Sequence, residues 1–384
     1  MRNPYNRTLL LTISLIALIF FANVVFNRLV DPYGYFLEPR IASFNSNKIY
    51  MSKDRAVLSA QPETLILGSS RAYLGLNPKD KAWQGKKVFN LAAGGHSIFD
   101  SLHFLEHANQ NTQIKEIYLL IDFFMFNASR KPYNEDEYDY LSSMSLDENI
   151  TDTNILGSLF SFKTLIDSFK TVINQNKFSS DYMNYGLDSL THDLPRHSKF
   201  ISTESAFYKV HYRNFITQTL DKNMFDGFER IVSYADKNNI RLTIGISPMH
   251  ARLLEVIDMA GLWDDFETWK KSITHIIKLQ NENDLPNQFK LYDFATYNRF
   301  SIEESPLQTK HNDVIWFSDP SHYKRNLGTS VIERMLGAPL EKNQFGVEID
   351  QSNIEEHLAR IRAERDVWRD QYPSHATEIQ SMRR

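Results

Sequence analysis

The chain has 384 residues, with 43 lysines and arginines against 47 aspartates and glutamates, a net charge of -4 and no cysteine. That balance argues against a nucleic-acid partner, which calls for a basic patch or stripe. The missing cysteine rules out disulfides, thiolate nucleophiles and cysteine-ligated zinc. The length suffices for one large domain or two ordinary ones, and the 13% aromatic content fits large buried side chains and a sugar-facing groove.

The first predicted element is the uncharged run Leu9 to Phe26, "LLLTISLIALIFFANVVF", about long enough to cross a bilayer core. Arg2 and Arg7 precede it without an acidic residue. The positive-inside rule then keeps the N-terminus in the cytoplasm and exports the rest. A cleaved signal peptide would show a shorter apolar run and a small-x-small site, and Asn23 to Arg28 offers none. A buried core helix is the third reading. The expectation is an uncleaved, single-pass inner-membrane anchor over residues 1–30, with the main domain periplasmic.

A turn-rich exit, Asp31-Pro32-Tyr33-Gly34-Tyr35, comes next. Strands are expected at Thr64–Leu67, Val88–Leu91, Glu116–Ile121, Leu242–Ile246 and Lys290–Phe294. All but the last are mostly continuous apolar runs, as suits strands covered on both faces. Helical periodicity fills the gaps at Ser97–Asn109 (Ser97 as N-cap), Phe228–Asn238, Trp263–Leu279 and Tyr323–Leu336. Alternation of this kind predicts an α/β fold, a doubly wound five-stranded parallel sheet, over residues 31–340.

Residues 129–224 interrupt the rhythm. The first part, "SRKPYNEDEYDY", is polar and aromatic, and "ILGSLFSFKTLIDSFKTVI" has helical periodicity. A structureless connection of this length is uncommon, so a helical insertion over one end of the sheet is expected. It serves either to cover substrate or to dock a partner. Residues 341–384 form a charged helical tail with a narrow apolar seam through Ile354, Leu358 and Ile361. The tail is read as a short docking segment or a peripheral, partly frayed helix, its charges at Glu355, Arg360, Glu364 and Arg369 as solvated surface.

Ligands of an open parallel sheet bind beyond the carboxyl ends of its strands. The residues just past each strand are therefore informative. Gly68-Ser69-Ser70-Arg71 succeeds the first, Ala92-Ala93-Gly94-Gly95-His96-Ser97 the second, Asp122 to Asn127 the third, and Ser247-Pro248-Met249-His250 the fourth. Ser318-Asp319-Pro320-Ser321-His322-Tyr323 comes near the end of the region. A serine becomes a nucleophile when a base takes its proton and a third group orients that base. One tight turn separates Asp319 from His322, so the carboxylate can meet Nδ1 while Nε2 points to Ser70. The backbone N–H groups of Ser70 and Gly95 are candidate oxyanion donors. Each residue has a plainer reading too. Ser70 or Asp319 can cap a helix, Gly95 can serve a turn, Arg71 can pair with an acid, and His250 can be a satisfied core histidine.

Taken in order, Gly68-Ser69-Ser70, Asn90 with Gly95, and Asp319-Pro320-Ser321-His322 resemble the SGNH/GDSL hydrolase superfamily. Gly-Ser-Ser-Arg with an anchor and a late Asp-x-x-His resembles its membrane-anchored exported branch, which includes polysaccharide O-acetyltransferases. The resemblance spans roughly Thr64 to Leu336. It implies a flavodoxin-like sheet, Ser70 as nucleophile, His322 as base, Asp319 as its orienter, and an oxyanion hole of Ser70 and Gly95. Arg71, Asp122 and His250 are then candidate substrate-binding residues. The third block departs from the family, which carries Gly-x-Asn-Asp where this chain reads "LLIDFFMFN". An ionised Asp122 would repel an oxyanion, so it either binds a substrate hydroxyl or pairs with Arg71. The implied activity is acyl transfer or ester hydrolysis on O-acyl, chiefly O-acetyl, groups of an envelope glycan or polysaccharide, without a cofactor. A membrane-embedded acyl-donor protein is the implied partner, and a non-catalytic glycan-binding or assembly subunit is the rival function. His96, Asp100, His103 and His107 share one helix face in zinc-like spacing, but a polar solvent face explains that spacing as well, and no metal is expected.

Overall fold

The computed structural model describes residues 4–33, 49–129, 152–173, 196–282, 289–305, 314–340 and 345–383. Helices α1 (Pro4–Val30) and α2 (Ile49–Ala60) come first, followed by β1 (Thr64–Leu67), α3 (Ser70–Gly75), β2 (Val88–Asn90), α4 (Ile98–Asn111) and β3 (Glu116–Ile121). Helices α5 (Asp152–Phe160), α6 (Phe162–Ile173), α7 (Arg196–Ala206) and α8 (Met224–Lys237) lead to β4 (Arg241–Ile246). Then come α9 (Ala251–Met259), α10 (Trp263–Asn281), β5 (Lys290–Asp293), α11 (Arg325–Met335), β6 (Val347–Glu348), α12 (Ile354–Gln371) and α13 (Pro373–Ser381).

The chain divides into two compact units, one of residues 1–60 and 134–190, the other of residues 61–133 and 191–384. In the first unit α1 contains an 18-residue window with a mean hydropathy of 2.7 and is long and apolar enough to cross a membrane. Helices α5 and α6 pack on its last turns. Asn27 is buried and donates to Leu159 O at 2.9 Å while accepting from Ser168 Oγ at 2.9 Å. Tyr33 donates to Asp167 at 2.6 Å. The "SRKPYNEDEYDY" stretch beyond Ser129, and Gly34-Tyr35 of the exit turn, lie outside the described residues.

The second unit is a mixed α/β sandwich. Its sheet has the order β2-β1-β3-β4-β5-β6, with parallel pairing through β5. The expected five strands are present, and a sixth is added. β6 pairs antiparallel with β5 through Tyr292–Glu348 and Asp293–Val347. Of the crossover helices, α4, α8 and α10 pack side by side, while α3 and α11 pack on each other. The central strands carry Leu65, Ile66, Leu119, Leu120, Ile244 and Ile246 at 0% exposure, which explains their unbroken apolar runs. Ser97 caps α4 in a reciprocal capping box with Asp100.

The tail is no solvated surface helix. Arg369 bonds Glu255 at 2.8 Å and Asp258 at 2.5 Å, and Arg362 bonds Glu267 at 2.6 Å. His357 donates to the fully buried Asp293, which also takes Lys270 at 2.5 Å. The tail's arginines thus meet acids of α9 and α10, its His357 meets the β5 acid, and α13 packs on α9.

Candidate active site

The strand-to-helix turn after β1 is built around Gly68. Its φ is +139°, and a Cβ there would lie 2.5 Å from Leu120 O, so both backbone and space require glycine. Ser69 takes the capping role, its hydroxyl accepting from Arg71 N at 3.2 Å. That frees Ser70, the first residue of α3, whose N–H has no intrahelical acceptor.

Two close approaches bring His322 to this turn. A Cβ on Gly328 would fall inside the Gly75 carbonyl, and the Tyr323 ring occupies the space a Gly75 side chain would need. Helices α3 and α11 therefore touch backbone to backbone. The turn entering α11 is set against Ser70 as a result.

His322 Nε2 lies 2.9 Å from Ser70 Oγ, and its Nδ1 lies 2.8 Å from Asp319 Oδ2. Asp319 Oδ1 also accepts the N–H groups of Ser321 at 2.9 Å and His322 at 3.0 Å. One carboxylate thus shapes the turn and holds the imidazole, so the capping and orienting readings of Asp319 are both true. Nδ1 carries the proton toward Asp319, leaving Nε2 free to accept from Ser70. Asp319 is nearly fully buried, which by itself raises its pKa. The His322 ring, the Ser321 N–H and Lys199 outweigh burial and hold it below the ordinary carboxylate value. His322 stays 23% exposed at the rim.

Beneath the rim lies a second polar cluster. Arg71 Nη1 pairs with Asp122 Oδ1 at 2.7 Å, with both side chains at 1% exposure or less. Asp122 also accepts the Ser69 hydroxyl. Arg71 Nε donates to Ser321 Oγ at 3.1 Å, and its guanidinium lies 5.4 Å from the Phe207 ring centroid and 5.5 Å from that of Phe124. Burial raises the Tyr212 and Tyr323 hydroxyls above their ordinary pKa against the opposing field of Arg71, so both stay protonated. Of the two roles open to Asp122 in the sequence, pairing with Arg71 is the one seen.

His250 is a buried structural residue rather than a rim group. It caps α9, accepting from Arg252 N through Nδ1 at 3.2 Å and donating from Nε2 to Glu303 O at 2.7 Å. Its own N–H bonds Pro320 O at 3.0 Å, which steadies the Asp319–His322 turn. Burial pushes its pKa down to about 3. Gly95, with φ +73°, sits in the turn after β2, which Ala93 N joins to Gly68 O at 3.2 Å. Asn90 donates to Ala72 O at 3.0 Å and Leu76 O at 2.9 Å, closing the end of α3. Asn127 is occupied with His211 O at 2.9 Å and Ile216 N at 3.3 Å. On α4, Asp100 accepts Ser97 N at 2.6 Å and His96 stacks on Phe104, so these two residues already have structural partners.

Sequence reasoning passed over Lys199, whose Nζ lies 3.8 Å from Asp319 Oδ2. Its helix, α7, is clamped to α9 by the bidentate Glu204–Arg252 pair at 2.6 and 2.8 Å, both side chains buried. Nothing in the sequence around Lys199 marks this role.

No protein-family model and no curated protein matches the chain. Among solved structures it is similar to one titled "The structure of a putative platelet activating factor from Streptococcus pneumonia", at 11% identity and a TM-score of 0.35, covering 76% of this chain and 91% of that one. At that level the likeness assigns neither fold family nor activity.

Proposed function

We propose that the chain is a membrane-anchored serine acyltransferase or esterase of the SGNH type, acting on O-acyl groups of an extracytoplasmic glycan. The observation that carries this reading is the chain of contacts Ser70 Oγ–His322 Nε2 at 2.9 Å and His322 Nδ1–Asp319 at 2.8 Å. The order β2-β1-β3-β4-β5 supports it, because Ser70 follows β1 at the point where strand order reverses. The apolar helix α1, preceded by Arg2 and Arg7, supports an exported location.

In this mechanism Ser70 Oγ attacks the acyl carbonyl as its proton passes to His322 Nε2. The Ser70 and Gly95 N–H groups are the donors this reading assigns to the developing oxyanion. Collapse breaks the bond to the leaving oxygen, which takes the proton from His322, and leaves an acyl ester on Ser70. An acceptor hydroxyl, or water, gives its proton to His322 and attacks that ester, and Ser70 recovers its proton. Asp319 holds the imidazole and stabilises its protonated form. Arg71 neutralises Asp122, so the carboxylate at the end of β3 opposes the oxyanion less than a free one would. A membrane-embedded protein delivering the acyl donor is the partner this scheme calls for.

One observation favours a second reading, a non-catalytic glycan-binding subunit. The residue that follows β3 is Asp122, with no amide donor in its place. Full-length protein in detergent treated with a serine-directed fluorophosphonate separates the two. The enzyme reading expects the label on Ser70, slow turnover of a chromogenic acetyl ester, and loss of both in Ser70→Ala. Wild type as inert as Ser70→Ala in both assays gives the function to the binding subunit.

A further inference from the structure

Helix α6 is inside out for a helix in water. Its buried stripe is Thr164, Asp167, Ser168 and Thr171, at helical spacing. Its exposed face carries Phe162 at 72%, Ile166 at 42%, Phe169 at 53% and Ile173 at 79% exposure, and Phe160 of α5 continues it at 54%. A helix in water turns the other way, apolar stripe inward.

The polar stripe is directed at the anchor. Ser168 donates to Asn27, Asn27 donates to Leu159 O, Tyr33 bonds Asp167, and Phe26 and Phe169 meet at 4.8 Å between centroids. The Asn27 and Phe26 contacts lie on the last turns of α1, and Tyr33 follows just after its end. Its earlier residues stay exposed. α1 has 27 residues, about 40 Å at 1.5 Å per residue, and exceeds a hydrocarbon core of about 30 Å. Its final turns therefore lie at the edge of the core.

We propose that α5 and α6 form a second membrane-seated element, an interfacial helix pair. It buries Phe160, Phe162, Ile166, Phe169 and Ile173 among lipid acyl chains beside the C-terminal end of α1. The proposal requires only that α1 span a membrane and is independent of the acyl-transfer reading.

Three observations favour lipid over a partner protein. Phe169 of the apolar face meets Phe26 of the apolar anchor, whose earlier residues are exposed as well. The residues of this face are large, whereas helix-to-helix contacts in membranes favour small ones; here the small residues Thr164, Ser168 and Thr171 are on the buried side, and Ser168 bonds Asn27 of the anchor. Lys163 and Lys170 are exposed on the same helix, with stems long enough to reach headgroups.

The chain has no cysteine, so a single introduced thiol can be labelled cleanly. Full-length Phe162→Cys, Ile166→Cys and Ile173→Cys, each carrying an environment-sensitive fluorophore, are reconstituted in phosphatidylcholine–phosphatidylglycerol vesicles. Ala359→Cys in α12 is the water-exposed reference. Circular dichroism confirms that each variant is folded, and the three sites replace one another if one is not. Bromine-labelled lipid should quench all three labels, while iodide quenches them at least about fivefold less than the reference. Labels as open to iodide as Ala359→Cys overturn the proposal and give the face to a protein partner. Labels shielded from both quenchers, with shielding that depends on the protein-to-lipid ratio, overturn it in favour of a second copy.

Discussion

Gly328 and Gly75 meet with no room for a side chain between them: a Cβ on Gly328 would fall inside the Gly75 carbonyl. Gly328→Ala must push α11 away from α3, because the obstacle is backbone. The expected cost is about 1–3 kcal/mol in stability, the usual range for overpacking. The Asp319–His322 turn should move with α11, so fluorophosphonate labelling of Ser70 slows as well. Thermal unfolding and labelling rate, measured on one sample, check this. A destabilised protein that labels at the wild-type rate would uncouple the helix crossing from the rim.

Arg71 and Asp122 form a buried pair, so removing one partner strands a charge. Arg71→Met should cost about 3–5 kcal/mol, and Asp122→Asn should also destabilise. Arg71→Met combined with Asp122→Asn should be more stable than Arg71→Met alone. Denaturant unfolding of all three in detergent provides the cycle. Additive losses would mean that the pair is not coupled.

Asp319→Asn keeps the size of the side chain but removes its charge and alters the turn's acceptor. Ser70 labelling should fall on the order of 10³-fold or more, because the imidazole loses both its tautomer and its counter-charge. Equal labelling rates in Asp319→Asn and wild type would remove Asp319 from the mechanism.

His250 is held neutral by burial, its pKa lowered from 6.5 to about 3. A depressed histidine contributes stability that is complete above 6.5 and drains away as pH falls, because only the unfolded chain takes the proton there. The unfolding free energy should therefore decline below pH 6.5 by up to about 1.4 kcal/mol per pH unit from this one group. Asp319, held below the ordinary carboxylate value, adds a loss that begins only at lower pH, as the unfolded carboxyl protonates. A His250→Asn variant should show a shallower decline between pH 6.5 and 4.5 in equilibrium unfolding. An unchanged slope would mean that His250 titrates normally.

The strands are legible because burial on both faces leaves a plain mark. β1 and β3 have the bounds their apolar runs predict, and β2, β4 and β5 differ by one residue at one end. β6 leaves no such mark. It is two residues long, and its pairing comes from Tyr292 and Asp293, far away in the chain. Helix α9 is hidden because "ARLLEVIDM" lies so close behind β4 that its apolar residues blend with those of the strand. The Asp319–His322 turn is legible from spacing, since both partners lie within four residues. The sequence left His250 between a pocket role and a structural one, and misread the tail's charges, for another cause. Whether a histidine or an arginine faces water depends on acids and carbonyls brought in from elsewhere, and Glu303, Glu255 and Asp258 cannot be assigned to them by periodicity.

Arg71 comes directly after the nucleophile candidate in the chain, and its Nε reaches Ser321, the residue before His322. The Ser70 and His322 turns are thus tied together from the interior by the Arg71–Ser321 bond. That tie sets the spacing between Ser70 and His322 from beneath rather than from the surface. Because Arg71 is itself buried and paired with Asp122, that spacing is fixed by the same ion pair that holds the interior of this edge of the sheet.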